Sequence, residues 1–468
     1  MSDQSNPNGG QDALTGSDTS QRNLTQTVKP EPATTRKDSG ETEVGSVFVS
    51  NYPPYSFWKQ EYVPEATEAL NVPPLPGTVL GLYLHIPFCR KRCKFCYFRV
   101  YTDKNSADIQ NYLDALTKEA SIYSKLPAIE GRALNFVYFG GGTPSYISAR
   151  HLETLVNQIK AELPWDEAEE VAFECEPGTL TQSKLETIKA IGVTRLSLGI
   201  ENLNDEILAE NGRAHLSKEI YRVMPWIDAL EFDQVNVDLI AGMVGETWES
   251  WRETVEKTIA LDADSITVYQ MELPFNAVYS KDILGGKTLF VADWKTKREW
   301  HHYAFEQFAA AGYETSSAYT AVKKDRPCKF VYRDAVWHGS DMIGTGVASF
   351  SHISGVHYQN TASWGEYLGA LEADQLPLHR AFRTTHEERF TREMILQLKL
   401  GKIAAADFQQ KFGEDIRSRF GATYKRLQDE GMLTVDENGV QLTQKGLLQV
   451  DQLLPEFYDA KYQGARYT

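Results

Sequence analysis

Cys89, Cys93 and Cys96 stand in the run His85-Ile-Pro-Phe-Cys-Arg-Lys-Arg-Cys-Lys-Phe-Cys96, spaced C-x3-C-x2-C. Thiolates are the ligands of iron–sulfur clusters, and three are one short of the four that saturate an ordinary one. A cube with three protein ligands leaves one iron open to another molecule. Such an iron can hold S-adenosylmethionine (SAM) and pass an electron into its sulfonium. Zinc is the competing use of clustered cysteines. It wants a fourth Cys or His close by, and the next residue of either kind, His151, has no partner at a ligand spacing. Arg90, Lys91, Arg92 and Lys94 between the ligands would offset a cluster's negative charge and raise its potential.

Two further motifs carry polar chemistry. In Tyr138-Phe-Gly-Gly-Gly-Thr-Pro144 the glycines at a strand end let a ligand approach the backbone, although such a run also serves as a plain tight turn. In Phe173-Glu-Cys-Glu-Pro177, strand alternation puts Glu174 and Glu176 on one face and Cys175 on the other. An inward carboxylate there suits an ammonium group such as SAM's; the plainer reading is an exposed strand-end pair. Cys175 is expected as a packed thiol and Cys328 as a loop thiol.

These motifs need a frame. After Gly77 the chain alternates strand candidates (Val79–Ile86, Leu134–Phe139, Glu170–Cys175, Arg195–Ile200, Gln234–Ile240, Ser265–Gln270) with helical runs (Ala107–Ser124, Ala149–Leu163, Gln182–Ile191, Asn204–Asn211 with Ser217–Leu230, Trp248–Ala260). Six such units predict parallel strands with right-handed crossovers, an α/β partial (β/α)6 barrel. Functional residues of such barrels gather at the C-terminal ends of the strands, where the cysteine run falls. Residues 1–48 are polar and poor in large apolar side chains, so a disordered tail is expected. An aromatic and proline-rich arm follows over 49–77, then the barrel over 78–290. A barrel extension covering the substrate is expected over 291–375, and a helical, winged-helix-like C-terminal domain over 376–468. In the last, Met432–Val435, the turn Glu437-Asn-Gly439 and Val440–Thr443 form a hairpin, and a final helix begins near Gln444.

The net charge is −16 and the five cysteines do not form a disulfide framework. A reducing cytoplasmic setting is expected, with no membrane span and no nucleic acid as partner. Asp429, Glu430, Asp436 and Glu437 around the wing weigh further against DNA.

Together these segments resemble the radical SAM superfamily, and within it the oxygen-independent coproporphyrinogen III oxidases and the HemW-type haem chaperones. The likeness runs from about Tyr83 to the chain end. It includes Tyr83-Leu-His-Ile-Pro-Phe-Cys89, the Gly-Gly-Gly-Thr-Pro run, Arg195-Leu-Ser-Leu-Gly-Ile-Glu-Asn202, Asn211-Gly-Arg213 and Asn236-Val-Asp-Leu-Ile240. The resemblance implies a 4Fe-4S cluster on Cys89, Cys93 and Cys96. It implies SAM contacts at Tyr83, Phe95, Gly141, Gly142, Thr143, Glu174, Glu201, Arg213 and Asp238. Asp238 suits a ribose hydroxyl or adenine amine, and Arg213 a methionine carboxylate. Their plainer readings are core aromatics for Tyr83 and Phe95 and a structural ion pair for Arg213 with Asp238. His85 is expected as a satisfied core histidine.

The sequence also departs from both branches. Phe98 stands where the oxidases have a fourth cysteine, and Glu201 where they have Gln. Gly212-Arg-Ala-His215 is chaperone-like, yet Tyr332-Arg-Asp-Ala-Val-Trp337 lacks the His and Asn of the chaperones' haem-binding segment. Met342–Phe350 is similar to the oxidase segment that approaches a second SAM. The implied activity is reductive cleavage of SAM to a 5′-deoxyadenosyl radical that acts on a tetrapyrrole, with propionate decarboxylation as the oxidase form. The alternatives are a haem-binding chaperone without decarboxylase activity and a radical C-methyltransferase on another large substrate. A low-potential electron donor such as flavodoxin or ferredoxin is the implied partner.

Overall fold

The computed structural model describes residues 51–273, 277–287 and 289–465. The tail expected over 1–48 and the first two residues of the arm lie outside them. The described residues form fifteen strands: β1 Leu80–Ile86, β2 Leu134–Gly141, β3 Glu170–Cys175, β4 Arg195–Glu201, β5 Gln234–Ala241, β6 Ser265–Gln270, β7 Tyr313–Thr315, β8 Thr320–Lys323, β9 Asp341–Thr345, β10 Phe350–Ile353, β11 Val356–Asn360, β12 Leu378–Arg383, β13 Lys402–Ala404, β14 Leu433–Val435 and β15 Gly439–Leu442. The principal helices are α1 Val63–Leu70, α2 Ser106–Tyr123, α3 Ala149–Glu162, α4 Gln182–Ala190, α5 Asp205–Glu210, α6 Ser217–Ala229, α7 Trp248–Ala260, α8 Val278–Leu284, α9 Trp294–Ala310, α10 Val331–Trp337, α11 Trp364–Glu372, α12 His386–Leu398, α13 Ala405–Phe412, α14 Ile416–Arg419, α15 Gly421–Asp429, α16 Gln444–Leu447 and α17 Val450–Leu453.

Strands β1 to β6 pair in parallel and in chain order, the six-unit arc that the alternation predicts. Beyond it β9 joins the free edge of β1 in parallel, with β10, β11 and β12 antiparallel outside it, while β8 and β7 extend β6. Period-two patterning separates the two faces. Leu82, Leu84 and Ile86 of β1, Leu196, Leu198 and Ile200 of β4, and Val237 and Leu239 of β5 are buried in the main hydrophobic core. The intervening positions, Glu174 on β3, Ser197 and Glu201 on β4 and Asn236 and Asp238 on β5, are polar and form the inner face. Both faces of a parallel sheet are normally covered by apolar side chains, so this polar lining has to be accounted for by hydrogen bonding or function.

At the end opposite the cysteine loop, α10 closes the arc. Tyr332 packs on Tyr138 at 4.4 Å and on Phe136 at 5.3 Å between ring centroids. The buried Glu170 carboxylate accepts from the backbone N–H of Val331 and Tyr332 at 3.1 and 3.2 Å and binds Arg195 through two hydrogen bonds. The Tyr332–Trp337 segment is therefore a plug held through the Glu170–Arg195 ion pair.

A second hydrophobic core gathers α12, α13, α15, α17 and the small sheet β13-β15-β14. Tyr52 from the arm lies in it, against Tyr458 and Tyr462, and Trp58 stacks on His357 of β11. The helix expected from Gln444 is instead two four-residue turns, α16 and α17. Gly446 sits so close to the chain that an added Cβ would strike the Met432 carbonyl, and Pro455 removes a helix donor further on. Strand β2 runs two residues past the expected end because Gly140 and Gly141 pair with His85 and Ile86.

Candidate active site at the open end of the barrel

The loop after β1 carries Cys89, Cys93 and Cys96 to the C-terminal mouth of the arc. All three line one cavity of about 390 Å³ together with Phe95, Gly141, Gly142, Thr143, Glu174, Glu201, Arg213 and Asp238. Residues from six different elements thus converge on the cysteines. Tyr83 does not line this cavity. It lies a layer below, stacked on Tyr138 at 5.9 Å, with its hydroxyl 3.3 Å from His85 Nδ1.

Two hydrogen-bond donors are aimed at cysteine sulfurs. Thr143 Oγ1 donates to Cys89 Sγ at 3.3 Å, and Arg213 Nη1 donates to Cys93 Sγ, also at 3.3 Å. Burial pushes the Cys89 thiol up to about 11 and the Cys96 thiol up to about 12, so both stay protonated until a strong local positive charge, such as iron, arrives. The basic residues of the loop are mostly engaged. Arg90 donates to the Ala214 carbonyl and to Glu176, Lys94 pairs with Glu210 at 3.1 Å, and Arg92 donates to the Cys96 carbonyl.

Three carboxylates face the cavity from the strand ends. Glu174 accepts from the Tyr138 hydroxyl at 2.7 Å and from the Gly141 N–H at 3.3 Å. Burial, helped by the Asp238 charge, raises its carboxyl to about 7. Glu201 rises to about 7 for the same reason, with Arg213 opposing. Asp238 accepts from Ser197 Oγ at 3.0 Å and Asn236 Nδ2 at 2.9 Å, and burial raises its pKa as well. Glu201 has φ of 62° beside a register shift between β4 and β5, a left-handed conformation that turns its side chain into the cavity. Arg213 does not pair directly with Asp238 as the ion-pair reading has it. Its Nη1 lies 3.5 Å from Glu201, and its Nη2 donates to the Gly199 carbonyl at 2.6 Å.

The glycine run owes much of its composition to packing. A Cβ on Gly141, whose φ is 113°, would lie 2.5 Å from the His85 ring, and one on Gly142 would lie 2.8 Å from the Pro87 backbone. The space left by the missing side chains is taken by the β1 end, while the opposite backbone face lines the cavity. Glu176 leaves the strand and accepts from His215, Arg90 and the Gly178 N–H. Cys175 is buried yet reaches the cavity wall, and Cys328 Sγ donates to the Asp264 carbonyl. His85 is buried, but its Nε2 has no hydrogen-bond partner among the described residues, so it is only half satisfied. Burial lowers its pKa to about 4, which keeps it neutral.

Several lining residues carried no sequence signal: Tyr97, Tyr269, Met271, Trp294, Tyr319 and Asp451. Asp451 comes from α17 and accepts from the Tyr319 hydroxyl at 2.6 Å, so the C-terminal unit forms part of the wall. Ser197 was findable, because it precedes Gly199 and Glu201 on the inward period of β4.

This donor set fits an iron–sulfur cluster with a cationic guest. Three sulfurs share one wall, two of them hydrogen-bonded as thiolates require, and the opposite wall is carboxylate-rich, as an ammonium and a sulfonium require. Comparison with known proteins agrees. The family model of the Radical SAM superfamily matches residues 83–258, and that of the HemN C-terminal domain matches residues 384–448. The chain is 25% identical over 429 residues to an oxygen-independent coproporphyrinogen III oxidase of Synechocystis sp., covering 87% of this chain and 91% of that one. It is 26% identical over 380 residues to the heme chaperone HemW of Bacillus subtilis, covering 80% of this chain and 98% of that one. The solved structure of coproporphyrinogen III oxidase (HemN) from Escherichia coli, described as a radical SAM enzyme, shares the fold. Its TM-score is 0.77 at 23% identity, over 88% of this chain and 96% of that one.

Proposed function

We propose that this chain, which belongs to the radical SAM superfamily and closes with a HemN C-terminal domain, is an enzyme of the coproporphyrinogen oxidase type acting on a carboxylate-bearing tetrapyrrole. The cofactors of the superfamily are a 4Fe-4S cluster and SAM. Cys89, Cys93 and Cys96 are the residues we assign to the cluster, and Gly141, Gly142, Thr143, Glu174, Glu201, Arg213 and Asp238 to SAM, with Phe95 beside the last ligand and Tyr83 beneath. When bound, the reduced cluster would supply one electron to the sulfonium of SAM, whose S–C5′ bond would break to give methionine and a 5′-deoxyadenosyl radical. The protein's part is to hold, orient and exclude water. Glu174 takes the ammonium, Arg213 the carboxylate and Asp238 a ribose hydroxyl.

The observation that carries the substrate class is the composition of the cavity lining. Arg90, Lys91 and Arg92 bring cations to it, and Tyr97, Phe98, Tyr269, Trp294 and Tyr319 supply aromatic surface. Guanidinium and ammonium groups pair with propionates, while aromatic faces stack on pyrrole rings. One observation favours a second reading, a HemW-like haem chaperone. Phe98, half exposed, occupies the place of the oxidases' fourth cysteine at this mouth. The reductant is a low-potential protein donor, and the reducing cytoplasm is the compartment that suits such a site. No helix of the described residues is long and apolar enough to cross a membrane.

Anaerobically reconstituted protein with SAM and a reductant should form 5′-deoxyadenosine; an intact cluster without that product would refute the enzymatic reading. Incubation with coproporphyrinogen III, followed by mass spectrometry, should show loss of carboxyl groups. Tight haem binding with unchanged substrate would instead select the chaperone, and a gain of methyl groups the methyltransferase.

A further inference from the structure

A second cavity, of about 280 Å³, lies directly behind the cysteine loop, and Arg90, Arg213, Lys218 and Arg222 line it with Gly178 and Glu219. It shares Arg90, Arg213 and Ala214 with the larger cavity. Arg213 is the partition between the two. From the crevice floor its Nη1 reaches Cys93 Sγ at 3.3 Å, and Arg90 directly follows Cys89 in the chain. The crevice is thus one guanidinium away from Cys93, and it adjoins Cys89 through the next residue in the chain.

Its charge is opposite to that of the protein. The chain carries −16, whereas four cations line the crevice against Glu219, with Glu176 behind Arg90. Glu219 is committed to the Leu216 N–H at 2.9 Å and lies 3.7 Å from Lys218; Glu176 is committed to His215 and Arg90. The Lys218 side chain is 75% exposed. Lys91 and Arg92, also exposed, continue the positive surface around the loop.

On the radical SAM reading above, the cluster must take one electron from outside for each reductive cleavage. The two described cysteines outside the loop are Cys175, packed in the core, and Cys328, bonded to a carbonyl beyond β8, and they form no second redox group. We propose that the crevice floored by Arg213 and rimmed by Lys218 and Arg222 is the docking surface for a small acidic one-electron donor protein. One electron leaves the donor's reduced prosthetic group and enters the cluster, which passes from its 2+ to its 1+ state. No atom or group moves between the chains. Lys218 and Arg222 line the crevice alone, whereas Arg90 and Arg213 line both cavities. Long-range attraction to a local basic rim accelerates encounter and makes it salt-dependent.

The test uses reconstituted holoenzyme and purified flavodoxin as its hydroquinone. Bleaching of the cluster absorbance is followed by stopped flow, and binding of oxidised flavodoxin by calorimetry, each at low and high salt. The double variant K218E/R222E should lower the second-order reduction rate at low salt by at least about tenfold. It should weaken flavodoxin binding to a similar degree and flatten the salt dependence. Dithionite reduction, iron content and SAM binding should match the parent protein, as should all readouts for K425E on α15. Should R222E disturb α6, K218E alone should still slow the flavodoxin reaction several-fold. Parental flavodoxin rates and binding in the charge-reversed proteins would overturn the docking site. A cluster that dithionite itself fails to reduce would instead overturn the radical SAM reading beneath it.

Discussion

Glu174 offers a prediction whose size follows from its surroundings. Its carboxyl is raised to about 7 by burial and by the neighbouring Asp238 charge, while the Tyr138 hydroxyl and the Gly141 N–H hold it from rising further. If Glu174 receives the ammonium of SAM, only the ionised carboxylate binds well. The ionised fraction is about 0.1 at pH 6 and about 0.9 at pH 8 for a group titrating near 7. Affinity therefore rises with pH, by about tenfold across that window, equivalent to about 1.4 kcal/mol. Above pH 8 the gain stops, because the carboxyl is then almost wholly ionised. Glu174→Gln removes both the charge and the titration. At pH 8 it should weaken binding by roughly 1.5–3 kcal/mol, the range for a hydrogen bond to a charged group. Between pH 6 and 8 the slope should fall well below the parent's, to what Glu201 alone contributes. Calorimetric titration with S-adenosylhomocysteine, which keeps the ammonium and lacks the sulfonium, checks this without turnover. A flat profile in the parent protein, or a parental slope in the Gln variant, would refute the assignment. Glu201→Gln provides the control, since Glu201 titrates in the same range but lies against Arg213.

Three further outcomes follow from single contacts. Thr143→Val keeps the volume but deletes the hydrogen bond to Cys89 Sγ, so the reduced, more negative cluster loses more than the oxidised one. Its midpoint potential should fall by about 40 mV, corresponding to about 1 kcal/mol for one electron, and an unchanged potential in EPR-monitored titration would dispose of the contact. Glu170→Ala leaves the buried Arg195 unpaired and two α10 amides without their acceptor, and should destabilise the protein by roughly 3–5 kcal/mol in denaturant titration. Because Arg195 lies over Phe330 and Tyr138, the double variant E170L/R195M should recover the part of that loss due to the unpaired charge but not the part due to the two amides; a double variant no more stable than Glu170→Ala would mean the unpaired guanidinium is not the main cost. Cys93→Ala should abolish the iron–sulfur absorbance while circular dichroism stays unchanged, and a full iron complement in that variant would remove Cys93 from the ligand set.

Much of the barrel is legible in the chain because its strands alternate over a few residues and α2, α3, α4, α5 and α7 each start at a polar side-chain cap. Strands β3 and β6 fall on the expected residues for that reason. The antiparallel additions at both edges are less visible. Strands of three or four residues there, β7, β8 and β10, are too short for a period to stand out. The single helix read from Gln444 is broken between Leu447 and Val450, and Gly446 inside its first turn packs against the Met432 carbonyl just ahead of β14.

The cysteine motif is a local property. Three ligands within eight residues need only one loop to meet, so spacing alone announces an incomplete iron–sulfur site. The tertiary structure decided what surrounds it. Arg213 reaches Cys93 across 120 residues of sequence, Glu201 enters the cavity only through a left-handed backbone, and Asp451 arrives from the C-terminal unit. It also decided that the same guanidinium floors a second, cationic crevice. Such contacts depend on how separate elements pack, and packing is set by the sum of many long-range burials rather than by any local spacing.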